Sequence, residues 1–129
     1  MKKIIYTDDA PKAIGPYSQA VQAGRFLYLS GSIPVDPKTN ELVEGDIKVQ
    51  TAQVLKNIDA ILKEAGYEEE NVVKTTCFLD DIRDFGAFNE VYASYFLHKP
   101  ARSCFAVKDL PKGALVEVEA VAYKDPDLL

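Results

Sequence analysis

Residues 46–66, DIKVQTAQVLKNIDAILKEAG, constrain the fold more than any other segment, because their apolar residues recur at intervals of three and four. That spacing is typical of an amphipathic helix with one buried face. Asp46 is suited to cap the start of this helix, and Gly66 is suited to end it. The expected buried face consists of Val54, Leu55, Ile58, Ile61, Leu62 and Ala65.

A second amphipathic helix is predicted over residues 84–96, DFGAFNEVYASYF, and its aromatic stripe is expected to lie in the core. Runs typical of strands surround the two helices; they are 2–6, 25–35, 71–82, 102–107 and 115–123. Segment 10–21 is rich in glycine and proline and predicts turns, and segment 36–45 predicts a loop.

Strands interleaved with two helices predict an α+β domain, with the helices covering one face of a sheet. The other face is not simply polar, because Val121 and Tyr123 share the strand parity of Glu117 and Glu119. A partner subunit is one way to cover such a face.

The size and charge of the chain limit its function. Its 129 residues suit one compact domain, and we expect a single domain over residues 1–129. The chain has 15 basic and 20 acidic residues and a net charge of −5. Affinity for nucleic acid comes mainly from basic residues that neutralise phosphates, and the sequence has no basic block. Nucleic acid is therefore not an expected partner.

The cysteines and the histidine favour structural roles. Cys77 lies in a run that predicts a buried strand, and His98 follows the end of the second helix. With one histidine and no CxxC pair, a zinc site is not expected. Two free thiols suit a reducing compartment, and no segment resembles a signal peptide or a membrane span. We expect a cytoplasmic protein with no membrane partner.

Arg102 begins the apolar run 102–107, where a guanidinium is costly without an anionic partner. Strand parity places Arg102 and Cys104 on one face, while Glu117 and Glu119 share a face of the following strand. One interpretation is a structural ion pair between Arg102 and one of these glutamates. The other is that Arg102 binds a ligand carboxylate with its planar fork while a glutamate orients water. Spacing alone does not decide between the two.

Two further segments are candidates for a binding site. Tyr17 follows a Gly15-Pro16 turn, where its ring either walls a pocket or packs on the turn itself. Ser30 and Gly31 end a predicted strand, where a hydroxyl and backbone groups serve either a ligand or only the turn.

Four stretches of the sequence resemble motifs of one protein family. They are AIGPYSQAV (13–21), LYLSGSIPVDPKTNEL (27–42), VVKTTCFLDDIRDFGAFNEVYASYF (72–96) and PARSCFAVKDLPKGALVEVEAVA (100–122). Through these stretches the chain resembles the RidA family, also called YjgF/YER057c/UK114. The resemblance covers nearly the whole chain, and the last stretch is the most specific.

The resemblance implies a chorismate-mutase-like α+β fold, in which a mixed β-sheet has two helices packed on one face. It also implies a homotrimer with active sites in the clefts between subunits. The implied activity is that of a 2-iminobutanoate/2-iminopropanoate deaminase. Such an enzyme hydrolyses reactive imines released by pyridoxal-phosphate enzymes to 2-oxo acids and ammonia, and so protects those enzymes from damage. No metal or other cofactor is implied, and the implied ligands are small 2-imino and 2-oxo acids.

The resemblance also implies roles for particular residues. Arg102 would clamp the substrate carboxylate with help from the backbone N–H of Cys104, and Glu117 rather than Glu119 would hold the attacking water. The implied catalytic residues are thus Arg102 and Glu117. The implied substrate-binding residues are Tyr17, Ser30, Gly31, Asn89, Arg102 and Cys104.

One departure from the family is visible in the connection between the second predicted helix and the PARS motif (100–103). Family members commonly have an aromatic residue and a longer connection there. Here Lys99 directly precedes Pro100. Two other functions remain open. A trimer that binds 2-oxo acids without turnover would show the same pocket residues. A ribonuclease or translation inhibitor, an activity also reported for relatives, would need a basic groove and is disfavoured by the acidic composition.

Overall fold

A six-stranded mixed sheet forms the centre of this computed structural model, which describes residues 2–125. The strands are β1 (Lys2–Ile5), β2 (Ala20–Ala23), β3 (Phe26–Ser32), β4 (Val35–Asp36), β5 (Glu41–Leu42), β6 (Val72–Leu79), β7 (Ala101–Ala106) and β8 (Val116–Tyr123). The sheet has the order β1-β2-β3-β8-β6-β7, and β4 and β5 form a separate hairpin. Strands β6 and β7 run parallel, and the other neighbours in the large sheet run antiparallel.

Two helices cover one face of the sheet. Helix α1 (Ile47–Glu64) begins at Asp46, whose carboxylate accepts a hydrogen bond from the N–H of Val49 at 3.1 Å. Just beyond its end, Gly66 has a φ of +81°, a left-handed conformation that favours glycine. Both predicted ends are confirmed. Helix α2 (Phe85–Tyr95) connects β6 to β7, and this crossover allows the two strands to run parallel.

The hydrophobic core lies between the helices and the sheet. On β8, Val116, Val118, Ala120 and Ala122 are buried, and the residues between them are not. The same alternation on β6 and β3 completes the sheet side of the core. The predicted fold class, a mixed sheet with two helices on one face, is therefore confirmed.

The opposite face of the sheet, which we call the open face, carries exposed aromatic side chains. Phe26, Tyr28 and Phe105 are 39%, 48% and 45% exposed. The ring centroids of Phe26 and Tyr123 lie 5.0 Å apart, and those of Phe78 and Phe105 lie 5.4 Å apart. Exposed apolar surface of this kind is typical of an interaction site, as the sequence led us to expect.

Two elements differ from the sequence-based expectation. Strand β2 lies partly within segment 10–21, where only turns were predicted, and the β4–β5 hairpin, residues 35–42, lies mostly within the predicted loop 36–45. Strand β2 forms because β1 and β3 pair with it on both sides, not because its four residues have a strong pattern. None of the described helices is long and apolar enough to cross a membrane. The ends of the predicted domain, residue 1 and residues 126–129, lie outside the described residues.

Candidate functional site

Arg102 lies on the edge strand β7, and its side chain extends over the helix-covered face. Its Nη1–H donates to Oδ1 of Asn89 at 2.7 Å. The guanidinium carbon lies 4.8 Å from the ring centroid of Tyr92, and 5.5 and 6.0 Å from those of Phe85 and Phe88. Within residues 2–125, no carboxylate forms a salt bridge with Arg102. The cation is therefore positioned by one amide and three rings, and it retains N–H groups for an anion.

The aromatic stripe of α2 is only partly the core that the sequence predicts. Phe88, Tyr92 and Phe96 are buried, but Phe85 is 37% exposed and lies against the guanidinium. Contacts between a cation and a ring contribute about 0.5–2 kcal/mol each. One end of the stripe therefore forms the wall around Arg102, and the other end packs in the core.

Cys104 lies two residues beyond Arg102 on the same face and is half-buried. Cys77, directly opposite on β6, is fully buried, which confirms its predicted packing position. Burial raises the pKa of both thiols, to about 12 for Cys77. His98 follows α2, as predicted; it is exposed, and its Nε2 lies 2.8 Å from the carbonyl oxygen of Val72. Burial therefore opposes the thiolate form of both cysteines, and neither sulfur is assigned a catalytic role.

Glu117 lies on β8 with its side chain on the open face. The strand register aligns Glu117 with Phe78, and Phe78 with Phe105, so the three side chains share that face. Burial raises the pKa of Glu117, and the charge of Glu119 raises it further. A carboxylate with a raised pKa is a better proton acceptor, and this suits the activation of water.

Gly31 allows Glu117 to lie against β3. The pairing of β3 with β8 is irregular between Leu29 and Ser32, and Gly31 lies within this irregularity. A Cβ atom on Gly31 would lie 2.9 Å from Cδ of Glu117, closer than real side chains approach. The absence of a side chain at Gly31 is therefore a requirement for the position of the carboxylate.

Tyr17 and Ser30 lie beside Gly31. The N–H of Tyr17 donates to the carbonyl of Gly15 at 2.9 Å, and Gly15 has a φ of +126°, so the predicted tight turn is present. The hydroxyl of Ser30 donates to the carbonyl of Ser18 at 2.6 Å and joins the strand end to this turn. Tyr17, Ser30 and Gly31 together line a cavity of about 250 Å³.

The predicted site residues thus form two separate groups. We call the first the guanidinium half, and it consists of Asn89, Arg102 and Cys104. We call the second the carboxylate half, and it consists of Tyr17, Ser30, Gly31 and Glu117.

Arg102 and Glu117 lie on opposite faces of the sheet, and β6 separates their strands. The two strand steps alone span about 10 Å. An ion pair between Arg102 and either Glu117 or Glu119, the structural alternative raised by the sequence, is therefore wrong within one chain.

Comparisons with known proteins place the chain in a family. A family model described as endoribonuclease L-PSP matches residues 7–124. A RutC family protein of Pyrococcus horikoshii is 58% identical, over 97% of this chain and 100% of its own length. A Mus musculus protein named 2-iminobutanoate/2-iminopropanoate deaminase is 49% identical, over 98% of this chain and 94% of its own. The crystal structure of YyfA from Yersinia pestis, a protein of the Rid protein family, matches this chain with a TM-score of 0.93. The two sequences are 52% identical, and the match covers 96% of this chain and 100% of YyfA. The chain belongs to the RidA family.

The RidA match includes every site residue that the sequence indicated, because all of them lie within residues 7–124. Sequence reasoning missed the aromatic surround of Arg102. The signal was present in the spacing of Phe85, Phe88 and Tyr92, which lie on one helix face. These aromatic residues were assigned to the core because nothing in the sequence places α2 against β7.

Proposed function

We propose that this RidA family protein hydrolyses small 2-imino acids, among them 2-iminobutanoate and 2-iminopropanoate, to 2-oxo acids and ammonia. The observation that carries the proposal is the Arg102 guanidinium, held by Asn89 and three rings and without a carboxylate partner in residues 2–125. A guanidinium in this state is suited to bind a carboxylate by two parallel hydrogen bonds. The name of the Mus musculus relative supports the same activity.

The proposed mechanism relies on positioning. Arg102 binds the substrate carboxylate with help from the backbone N–H of Cys104, and Asn89 orients the guanidinium. Glu117 orients a water molecule and accepts its proton as the oxygen attacks the imine carbon. The proton then passes to the nitrogen, and the C–N bond breaks as the C=O bond forms and the hydroxyl proton leaves to Glu117. The released ammonia takes up this proton and becomes ammonium. Protonated imine and water thus give 2-oxo acid and ammonium without a cofactor.

We also propose that the active form is a trimer and that each site lies between subunits. The guanidinium half and the carboxylate half do not meet within one chain, so a complete site needs a second copy. The exposed aromatic side chains of the open face supply apolar surface for that contact. The trimer itself is inferred from the RidA family.

Mixing two inactive variants tests the shared site. If Arg102 comes from one subunit and Glu117 from another, the Arg102→Ala protein and the Glu117→Gln protein complement each other. A mixture of the two that is unfolded and refolded together is then expected to regain activity. Random assembly at equal amounts produces intact sites in about one quarter of the clefts. The measurement is imine hydrolysis by the mixture against each variant refolded alone. A mixture as inactive as its components would mean that both halves serve one site in the same chain.

The Gly31→Ala variant tests the position of the carboxylate. The added methyl group is expected to displace the Glu117 carboxylate and to lower turnover by roughly tenfold to a hundredfold, because small misplacements in a site are costly. Imine hydrolysis and the thermal unfolding midpoint should both be measured. Gly86→Ala is the matched control, since a Cβ there meets nothing within 4 Å. Wild-type turnover in Gly31→Ala would show that this position of Glu117 is not required.

Binding without turnover is the main alternative, because it would use the same residues. A pyridoxal-phosphate dehydratase acting on threonine generates 2-iminobutanoate in the assay, and the loss of imine is compared with its spontaneous hydrolysis. The proposal expects faster release of ammonia and 2-oxobutanoate. A protein that binds 2-oxobutanoate but leaves the rate unchanged would be a carboxylate-binding trimer.

A nuclease is the second alternative, because the matching family model is described as an endoribonuclease. The net charge of −5 opposes strong binding to a polyanion. Cleavage of RNA that weakens steeply with salt would support this alternative.

We propose a cytoplasmic location for the protein. Cys77 and Cys104 are free although they lie opposite each other on neighbouring strands, and free thiols persist in a reducing compartment.

A further inference from the structure

Cys77 and Cys104 are direct neighbours on adjacent strands. The parallel pairing of β6 with β7 places them opposite each other, and both side chains lie on the helix-covered face. Cys77 is fully buried, and Cys104, which belongs to the guanidinium half, is half-buried. The proposed mechanism uses neither sulfur atom, so the pairing of the two thiols is a separate feature of this chain.

The spacing of the strands suits a disulfide. Neighbouring strands lie about 4.8 Å apart, and a disulfide joins residues whose Cα atoms are about 4.4–6.8 Å apart. The bond also needs Cβ atoms about 3.5–4.5 Å apart, so the two strands must approach slightly. Strand β7 is the edge of the sheet, so it has a neighbouring strand on one side only. A bond formed under strain is readily reduced, which makes it reversible.

We propose that Cys77 and Cys104 form a reversible disulfide within one chain when the protein meets hydrogen peroxide, and that this bond switches off the adjacent site. The effect on activity rests on the proposed function, whereas the formation of the bond does not.

Cys104 reacts first with the peroxide. Burial raises the pKa of its thiol, but the charge of Arg102 and a hydrogen bond with Cys77 act in the opposite direction. The Cys104 thiolate attacks one peroxide oxygen, the O–O bond breaks, and a sulfenic acid and hydroxide form. The sulfur of Cys77 then attacks the sulfur of Cys104, and the S–O bond breaks as the S–S bond forms. The thiols lose two electrons and two protons, and hydrogen peroxide becomes two molecules of water.

The disulfide acts on the site through the backbone of β7. The approach of Cys104 to Cys77 shifts the N–H of Cys104 that is proposed to bind the substrate. It also shifts Arg102, two residues earlier, relative to Asn89 on α2. We expect a loss of turnover on the order of tenfold to a hundredfold, because a shift of about 1 Å in a positioning group has effects of this size.

Intact-mass measurement after peroxide treatment and alkylation under denaturing conditions tests the proposal. We expect the chain to lose the mass of two hydrogen atoms, to leave no thiol for alkylation, and to regain both thiols with dithiothreitol. Imine hydrolysis is expected to fall and to return in step with these changes. If the untreated protein hydrolyses no imine, the proposed function alone fails, and the mass still decides whether the bond forms.

The control is Cys77→Val, which removes the second thiol outside the proposed binding machinery and keeps an apolar strand residue. It is expected to keep basal activity and to lose reversible inactivation, and Cys104 is expected to proceed to sulfinic acid. Cys77→Ala serves the same purpose if the valine does not fit the core. The proposal would be overturned if, in peroxide-treated wild-type protein, Cys77 could still be alkylated while Cys104 had gained oxygen atoms. A disulfide between two chains would overturn it as well.

Discussion

Replacement of Arg102 by alanine is expected to abolish detectable imine hydrolysis and to weaken the binding of 2-oxobutanoate, the stable product. In the proposed site the guanidinium binds the carboxylate by two charge-assisted hydrogen bonds. Loss of a desolvated charged partner costs about 2–5 kcal/mol, which corresponds to roughly thirtyfold to several thousandfold in affinity. Calorimetric titration with 2-oxobutanoate and the coupled imine assay measure the two effects on the same sample.

Two matched variants define what Arg102 contributes. Arg102→Lys is expected to restore little, because an ammonium group cannot reproduce the planar fork. Asn89→Asp keeps the shape of the partner but places a carboxylate where Oδ1 now accepts from Nη1 at 2.7 Å. This internal anion is expected to compete with the substrate carboxylate and to weaken product binding. Wild-type affinity for 2-oxobutanoate in Arg102→Ala would refute the carboxylate clamp.

The second large effect is expected in Glu117→Gln, which keeps the size of the side chain and removes the proton acceptor. General base catalysis contributes about a hundredfold to ten-thousandfold, so turnover should fall within that range. Affinity for 2-oxobutanoate should stay near that of the wild type, because Glu117 is proposed to act on water and not on the carboxylate. The same titration and the same coupled assay measure this separation of turnover from binding.

Glu119→Gln is the control for Glu117→Gln. Glu119 lies two residues along β8 on the same face, but it is exposed, whereas Glu117 is half-buried beside Gly31. The Glu119 variant is expected to retain most of the turnover. Equal losses in the two variants would assign the effect to the negative charge of the open face rather than to a base at Glu117.

Local sequence pattern was sufficient for elements whose limits are indicated within one segment. Helix α1 was predicted with both ends because Asp46, Gly66 and the apolar spacing act within the segment itself. Strand β2 was missed because its residues are extended only by virtue of their partners in β1 and β3. The wall around Arg102 was missed for the same reason, since Phe85 meets the guanidinium only when α2 packs against β7.

The candidate site residues were indicated by the sequence, and so was the strand parity that groups Glu117 with Glu119. Which face each group occupies was decided by the tertiary structure. On β8 the alternation of buried and more exposed residues is strong. On the edge strand β7, Ala101, Ser103 and Phe105 are exposed. Even Arg102 and Cys104, on the other face of β7, are only half-buried. An edge strand is partly exposed on both faces, so its sequence carries little information about which residues face the helices. The parallel register with β6 and the packing of α2 make that choice, and they place the guanidinium and the carboxylate on opposite faces of one chain.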